Sequence, residues 1–242
     1  MTFLIPMAGK SQRFFDAGYK TPKMLIKVHK KFLFQWSIDS LPLDLCKNLV
    51  IVLLKEDEDN FNISELITEK YKNDVDKIYY VYLDEVTRGQ AETVFKAKHC
   101  VDLNEPLVVF NTDTYFNSST IKDNLLRNDI DGVLGSFASD SKNFSFAKIG
   151  SDGLINETAE KIVISKNALT GLYHFKNPND FFEACTFFIE KNILNSGEFY
   201  IAPMYNKLIK EGKKYIIDSV SDHWILGTPK ELEYFRDNFK VL

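Results

Sequence analysis

The chain is 242 residues long, 45% hydrophobic, with a formal net charge of -4 at pH 7. That is enough apolar sequence for one sizeable core, and α/β chains of this length are often undivided, so a single domain over 1–242 is expected. The acidic balance argues against a nucleic-acid partner, which needs a basic face. Cys46, Cys100 and Cys185 are far apart and odd in number, with no C-x-x-C. That spacing speaks against a zinc site or a disulfide framework and suits free thiols in a reducing cytoplasm. No window has the length and apolarity of a membrane span. No secretory leader is expected either, because the first apolar run is short and runs straight into a loop.

The chain opens as a strand at Phe3-Leu4-Ile5 and breaks into a loop at Pro6-Met7-Ala8-Gly9. Lys10, Arg13, Lys20 and Lys23 follow. A tight turn lets backbone N–H groups approach a phosphate, and Lys and Arg neutralise its charge, so this reads as an anion site. The alternative is a surface loop with scattered lysines. A helix is expected over 32–41 and a strand over 48–54. The acidic run 55–60 suits the positive end of a helix that continues to about Tyr71. The run 77–83, rich in aromatic and β-branched residues, reads as a strand. A helix over 88–100 and a strand over 107–110 follow, the latter ended by Asn111-Thr112-Asp113-Thr114. A further strand is expected over 132–137. Residues 144–149 and 154–155 read as a hairpin about Ser151-Asp152-Gly153, since Asp-Gly suits a tight turn. The rest reads as a strand over 169–175, helices over 180–191 and 202–210, a strand over 215–218 and a last helix over 229–239.

Strands alternate with helices through the first half. That predicts an α/β three-layer sandwich with a Rossmann-like, mixed but mainly parallel sheet. Ligands of such sheets sit at the carboxyl ends of the strands, so the loops after Ile5, Leu83 and Phe110 should converge.

Two phosphate motifs fail here. Gly9-Lys10-Ser11 ends like a Walker A loop, but its first glycine would fall at Leu4, and the three glycines of a dinucleotide fingerprint are missing. Asp113, just beyond a strand, is well placed for a hard cation such as Mg²⁺, or else closes the strand as an Asx turn. In Arg88-Gly89-Gln90, Gly89 lets backbone approach a ligand, and the Gln90 amide can both donate to and accept from a base edge. Ordinary helix-start chemistry is the alternative. Glu160-Lys161 taken alone is an exposed ion pair.

Together these stretches form an ordered pattern. Ala8-Gly9-Lys10-Ser11-Gln12-Arg13, then Pro22-Lys23-Met24-Leu25, resembles the signature loop of the sugar-phosphate nucleotidylyltransferases, or nucleoside-diphosphate-sugar pyrophosphorylases. The usual second glycine near Ser11 and the threonine or serine near Gln12 are absent. Asn111-Thr112-Asp113 resembles the family's second signature, with Thr112 in place of its glycine. Glu160-Lys161 followed by Gly171-Leu172-Tyr173-His174-Phe175 resembles its E-K pair and G-[IVL]-Y-x-F strand. Gly197-Glu198 resembles its acceptor-side G-E, and Trp224-Ile225-Leu226-Gly227-Thr228-Pro229 its closing W-x-x-G-T-P. The resemblance runs from residue 3 to about 235 and is nearest to the small bacterial members that serve capsule and surface polysaccharide pathways.

The resemblance implies the nucleotide-diphospho-sugar transferase fold and transfer of a nucleotide from an NTP to a phosphomonoester, with release of pyrophosphate. Arg13, Lys23 and Lys161 would be catalytic. Met7, Ala8, Gly9, Lys10, Ser11, Gln12, Gly89, Gln90 and Thr112 would bind the nucleotide. Glu160, Gly171 and Glu198 would bind the acceptor. Mg²⁺ would sit on Asp113. The family's second metal aspartate falls at Ile225, which leaves Asp222 as an auxiliary ligand. CTP is the expected nucleotide and UTP the second choice. The acceptor would be a sugar 1-phosphate or a small phosphorylated compound such as phosphoglutamine. Cytoplasmic location and no membrane insertion are expected, and a homo-oligomer stays open. A kinase-like phosphotransferase lacks its Walker glycine. A metal-dependent glycosyltransferase, which often carries D-x-D, and a non-catalytic nucleotide-binding protein remain as alternatives.

Overall fold

The computed structural model describes residues 1–240; Val241 and Leu242, the end of the expected 1–242 domain, lie outside the described residues. Strand β1 (Thr2–Pro6) is apolar on both faces and lies in the middle of the sheet. The chain then forms helix α1 (Gln12–Asp16), a small ribbon of β2 (Lys27–Val28) and β3 (Lys31–Phe32), and helix α2 (Leu33–Ile38). Strand β4 (Asn48–Leu54), helices α3 (Lys55–Phe61) and α4 (Ile63–Tyr71), strand β5 (Lys77–Leu83), helix α5 (Gln90–Lys96) and strand β6 (Leu107–Phe110) follow. Strands β5, β4, β1 and β6 lie side by side and parallel, with Ile5 opposite Ile51 and Leu4 opposite Val109.

The second half begins with β7 (Thr114–Asn117) and helix α6 (Ile121–Leu125), then β8 (Gly132–Ala138), β9 (Ser145–Ile149), β10 (Ile155–Glu160) and β11 (Asn167–Phe175). Helices α7 (Pro178–Glu190) and α8 (Tyr205–Lys210), strands β12 (Tyr215–Ser219) and β13 (Asp222–Ile225), and helix α9 (Pro229–Asn238) complete it. Strand β11 is antiparallel to β6 and to β8, β12 is parallel to β8, and the β9–β10 hairpin extends the sheet beyond β11.

Side chains of successive strand residues point to opposite faces, and this sorts the core into layers. Phe3, Ile5, Leu49, Ile51 and Leu53 pack with Phe34 and Ile38 of α2 and with Ile63, Ile67 and Tyr71 of α4. Leu4, Val50 and Val52 pack with Ala91 and Val94 of α5 and with Phe181 and Cys185 of α7. The result is a central, mainly parallel sheet between two helical layers, as the alternation predicts.

The differences from the sequence reading are local. The helix expected over 55–71 is two helices, because Asn62 takes a left-handed conformation (φ 50°) between them. The helix expected over 88–100 starts only at Gln90, since Gly89 has φ 139°, and it ends in a 3₁₀ turn at Lys98–Cys100. The helix expected over 202–210 likewise opens with a 3₁₀ turn at Ala202–Met204. Helices α1 and α6 and the antiparallel pair β7–β13 fall where no element is expected. That pair sets Ile225 opposite Thr114 and so carries the closing segment to the end of β6. A third small core backs it, where Phe14, Trp36, Leu226 and Phe235 join α1, α2 and α9. Among the described residues no helix is long and apolar enough to cross a membrane.

Candidate active site

The loops after β1, β5 and β6 meet in one cleft of ≈ 980 Å³, which also takes in residues from β10, β11 and the closing segment. One wall is the first loop, with Ala8, Gly9, Lys10, Arg13 and Lys23. Ser11 takes a left-handed conformation (φ 53°) that turns the chain into α1. Its hydroxyl accepts a 2.9 Å hydrogen bond from the Lys23 backbone N–H, which pins Lys23 to the loop twelve residues earlier. Lys23 Nζ donates to Asp113 Oδ2 at 2.9 Å. Burial pushes the Asp113 carboxyl up, but the charge and hydrogen bond of Lys23 and the charge of Arg13 outweigh it and hold the carboxyl below the usual carboxylate range. The Leu226 N–H donates to the Asp113 carbonyl at 2.7 Å, so the closing segment is tied to the same turn.

A second wall is formed by Thr87, Arg88, Gly89, Gln90, Thr93 and Asn111. The Arg88 guanidinium is spent locally: it forks onto Glu92 and lies 4.8 Å over the Phe199 ring. Gly89 is required sterically, because a Cβ there would sit 2.6 Å from the Phe199 backbone N and O. Phe199 N–H donates to Arg88 C=O at 2.8 Å, and Ala91 N–H donates to Phe199 C=O at 3.0 Å. The start of α5 is thereby stitched to the segment that carries Glu198 and Tyr200. Gln90 Nε2 donates to Asn111 Oδ1.

The far end of the cleft holds Ser145, Glu160, Lys161, Gly171, Glu198 and Tyr200. Glu160 and Lys161 do not pair with each other. Glu160 accepts from Ser145 Oγ, and burial raises its carboxyl above the usual range. Lys161 takes a left-handed conformation (φ 56°), uncommon for a side chain of its size, and Nζ donates to the Tyr200 hydroxyl at 2.7 Å. That hydrogen bond holds the Lys161 ammonium above its usual range. Gly171 (φ 89°) lets β11 pass Asn111, whose Nδ2 would lie 2.1 Å from a Cβ there.

Most sequence-predicted site residues thus share this cleft: Ala8, Gly9, Lys10, Arg13, Lys23, Gly89, Gln90, Thr112, Asp113, Glu160, Lys161, Gly171 and Glu198 all line it. Four do not. Met7 is in the core beneath the loop, 1% exposed. Ser11 holds Lys23, and Gln12 donates to Asp16 at 2.7 Å on the exposed face of α1. Asp222 is exposed at the start of β13, opposite Asn117. Ile225 lines the cleft in its stead. Sequence reasoning missed Asn111, Tyr200 and Glu231, all of which line the cleft. Asn111 had a signal, a polar residue closing a fully apolar strand. Tyr200 had none.

The cleft thus brings together a cation-lined loop, a carboxylate beyond a central strand and a second lysine. The protein family described as nucleotidyl transferase matches residues 4–225. The chain belongs to this nucleotidyl transferase family. It is similar to a nucleoside-diphosphate-sugar pyrophosphorylase from Vibrio cholerae RC9, with 33% identity, 98% of this chain and 100% of that chain covered, and a TM-score of 0.83. Two more distant structures share the fold. An inositol-1-phosphate CTP transferase from T. maritima has 13% identity, covers 95% of this chain and 90% of its own, and has a TM-score of 0.75. A UDP-glucose pyrophosphorylase has 16% identity, covers 98% and 99%, and has a TM-score of 0.75. No curated protein matches the chain. In this nucleotidyl transferase the cleft lies at the carboxyl ends of the central strands.

Proposed function

We propose that this nucleotidyl transferase joins the nucleotidyl group of CTP to a small phosphomonoester and releases pyrophosphate. The observation that carries the reading is the Lys23–Asp113 pair, set between the phosphate loop and Lys161. An oxygen of the acceptor phosphate forms the new bond to the α-phosphorus, and the bond from that phosphorus to the bridging oxygen of the β-phosphate breaks. The electron pair leaves with pyrophosphate. The acceptor phosphate has a second pKa of about 6, so it needs no general base at neutral pH. Catalysis is then positioning and charge stabilisation. Arg13 and the loop N–H groups after β1 bind the β and γ phosphates, Lys23 meets the charge that grows on the α-phosphate, and Lys161 holds the acceptor phosphate.

Mg²⁺ fits the residues present. Asp113 supplies a hard oxygen donor, the Lys23 ammonium already stands on it as a cation, and Gly227 leaves a hollow beside it that a Cβ would fill, 3.4 Å from Asp113 Oδ2. When bound there, the ion supplies charge neutralisation between nucleotide and acceptor.

The preference for CTP over UTP rests on the variant opening loop and on the single amide of Gln90. One N–H of that amide donates to Asn111 Oδ1, and its carbonyl oxygen and second N–H can serve a pyrimidine edge. On the acceptor side, Glu160 and Glu198 suit a partner rich in O–H or N–H donors, a sugar 1-phosphate or a compound such as phosphoglutamine. We place the product in capsule or surface polysaccharide assembly on the sequence resemblance above.

Pyrophosphate release, measured with four NTPs against a panel of phosphomonoesters, tests this. CTP should give the fastest release with at least one acceptor. Faster release with UTP or a purine overturns the base assignment, and release with none of the pairs overturns the activity.

A further inference from the structure

Ile225 stands two residues before Gly227-Thr228, where the sequence resemblance expects a metal carboxylate, and it carries no oxygen in its side chain. Asp222 does not replace it. It lies three residues back along β13, about 10 Å at strand rise, and is exposed. Another carboxylate follows on the same segment, just beyond Gly227. Glu231 sits in the first turn of α9 and lines the cleft. Thr228 caps that helix: the Glu231 N–H donates to Thr228 Oγ1 at 3.3 Å, and Thr228 Oγ1 donates to Glu231 Oε2 at 2.8 Å. This contact holds the Glu231 side chain back over the Gly227 turn. A Cβ built on Gly227 would lie 3.4 Å from Asp113 Oδ2 and 3.6 Å from Glu231 Oε2. Both carboxylates therefore border one hollow, kept open by the missing side chain of Gly227. Backbone ties fix its walls, because Leu226 N–H is held at 2.7 Å by the Asp113 carbonyl.

We infer that Glu231 supplies the second carboxylate for a divalent cation held by Asp113, in the hollow beside Gly227. The inference rests on the Mg²⁺ reading of the proposed function and adds the residue that completes it. The chemistry is that of a hard ion that takes one or two carboxylates, phosphate oxygens and waters. The helix cap and the metal contact are compatible, since Thr228 occupies Oε2 and no partner of Oε1 is found among the described residues.

The test is direct Mn²⁺ binding, read by electron paramagnetic resonance with CTP present, alongside thermal melting. Glu231→Gln keeps the helix cap, because glutamine serves at that position as glutamate does. It should weaken Mn²⁺ binding by about tenfold or more with an unchanged melting temperature, a size typical of losing one supporting group at a metal. Asp113→Asn should lose binding further, and Asp222→Asn should match the wild type. If Glu231→Gln binds Mn²⁺ as the wild type does while Asp113→Asn does not, Glu231 is only a cap and the inference is wrong. If Asp222→Asn alone loses the ion, the carboxylate comes from β13 and the inference is again wrong. A wild-type protein that binds CTP but no Mn²⁺ overturns the metal site and leaves nucleotide binding standing. One that binds neither overturns the proposed function as well.

Discussion

Lys23 Nζ lies 2.9 Å from Asp113 Oδ2, which joins two loops 90 residues apart in the chain. The pair holds the phosphate loop against the end of β6. Its side chains are 20% and 31% exposed, so its own worth to folding is small, about 1 kcal/mol or less. On the proposed function its worth to catalysis is larger, because a cation fixed where charge grows acts mainly in the transition state. Lys23→Ala should lower kcat by about a hundredfold or more, equivalent to about 3 kcal/mol, while the melting temperature stays close to wild type. A steady-state assay with near-normal kcat contradicts the role of Lys23. A large fall in melting temperature would make the pair structural instead.

Gly89→Ala should hurt both substrates at once. At φ 139° a side chain is rarely accommodated, and the new Cβ would meet Phe199 backbone at 2.6 Å. Phe199 lies between Glu198 and Tyr200, which the proposed function sets on the acceptor side, so relief of the clash moves that wall as well as the start of α5. We expect KM to rise for nucleotide and for acceptor, with a stability loss of about 1–3 kcal/mol. A change in the nucleotide KM alone would show that the two walls are independent.

His174 predicts acid sensitivity. It is buried in β11, and neither ring nitrogen has a hydrogen-bond partner. Burial, with the nearby Lys176 charge, lowers its pKa from 6.5 to about 3. The folded state thus resists a proton that the unfolded chain accepts below 6.5. Stability contributed by neutral His174 is full above that pH and is lost as pH falls toward 3. His174→Leu should raise the urea midpoint at pH 5 relative to wild type, and by less at pH 8. An equal shift at both values would mean that proton uptake is not the cause.

How much of this was legible in the sequence differs by element. Strands β1, β4 and β6 are apolar on both faces, and such runs show plainly in one dimension. The β7–β13 pair did not show, because four-residue strands of mixed polarity beside turn residues lack a clear period. Lys23 and Asp113 were each read as site residues from the sequence, but their contact depends on how β1 and β6 lie beside each other. Ser11 was expected to bind the nucleotide, and its hydroxyl accepts from the Lys23 backbone N–H, a contact no local pattern shows. Glu231 carried a signal in Thr228-Pro229-Lys230-Glu231, the spacing of a capping box, but the motif read there ended at Pro229. Its nearness to Asp113 depends on the turn at Gly227, which no local pattern reveals.

On the proposed function, the acceptor phosphate attacks the α-phosphorus of CTP at the Lys23–Asp113 pair. Phosphorus NMR of the reaction mixture tests it most directly, with the wild type followed beside Asp113→Asn. With the wild type, the acceptor's monoester signal should be replaced by a diphosphate pair, with pyrophosphate formed in equal amount, and Asp113→Asn should leave the spectrum unchanged on the same timescale. Formation of CDP and a doubly phosphorylated acceptor, or of orthophosphate without a diphosphate product, would contradict it.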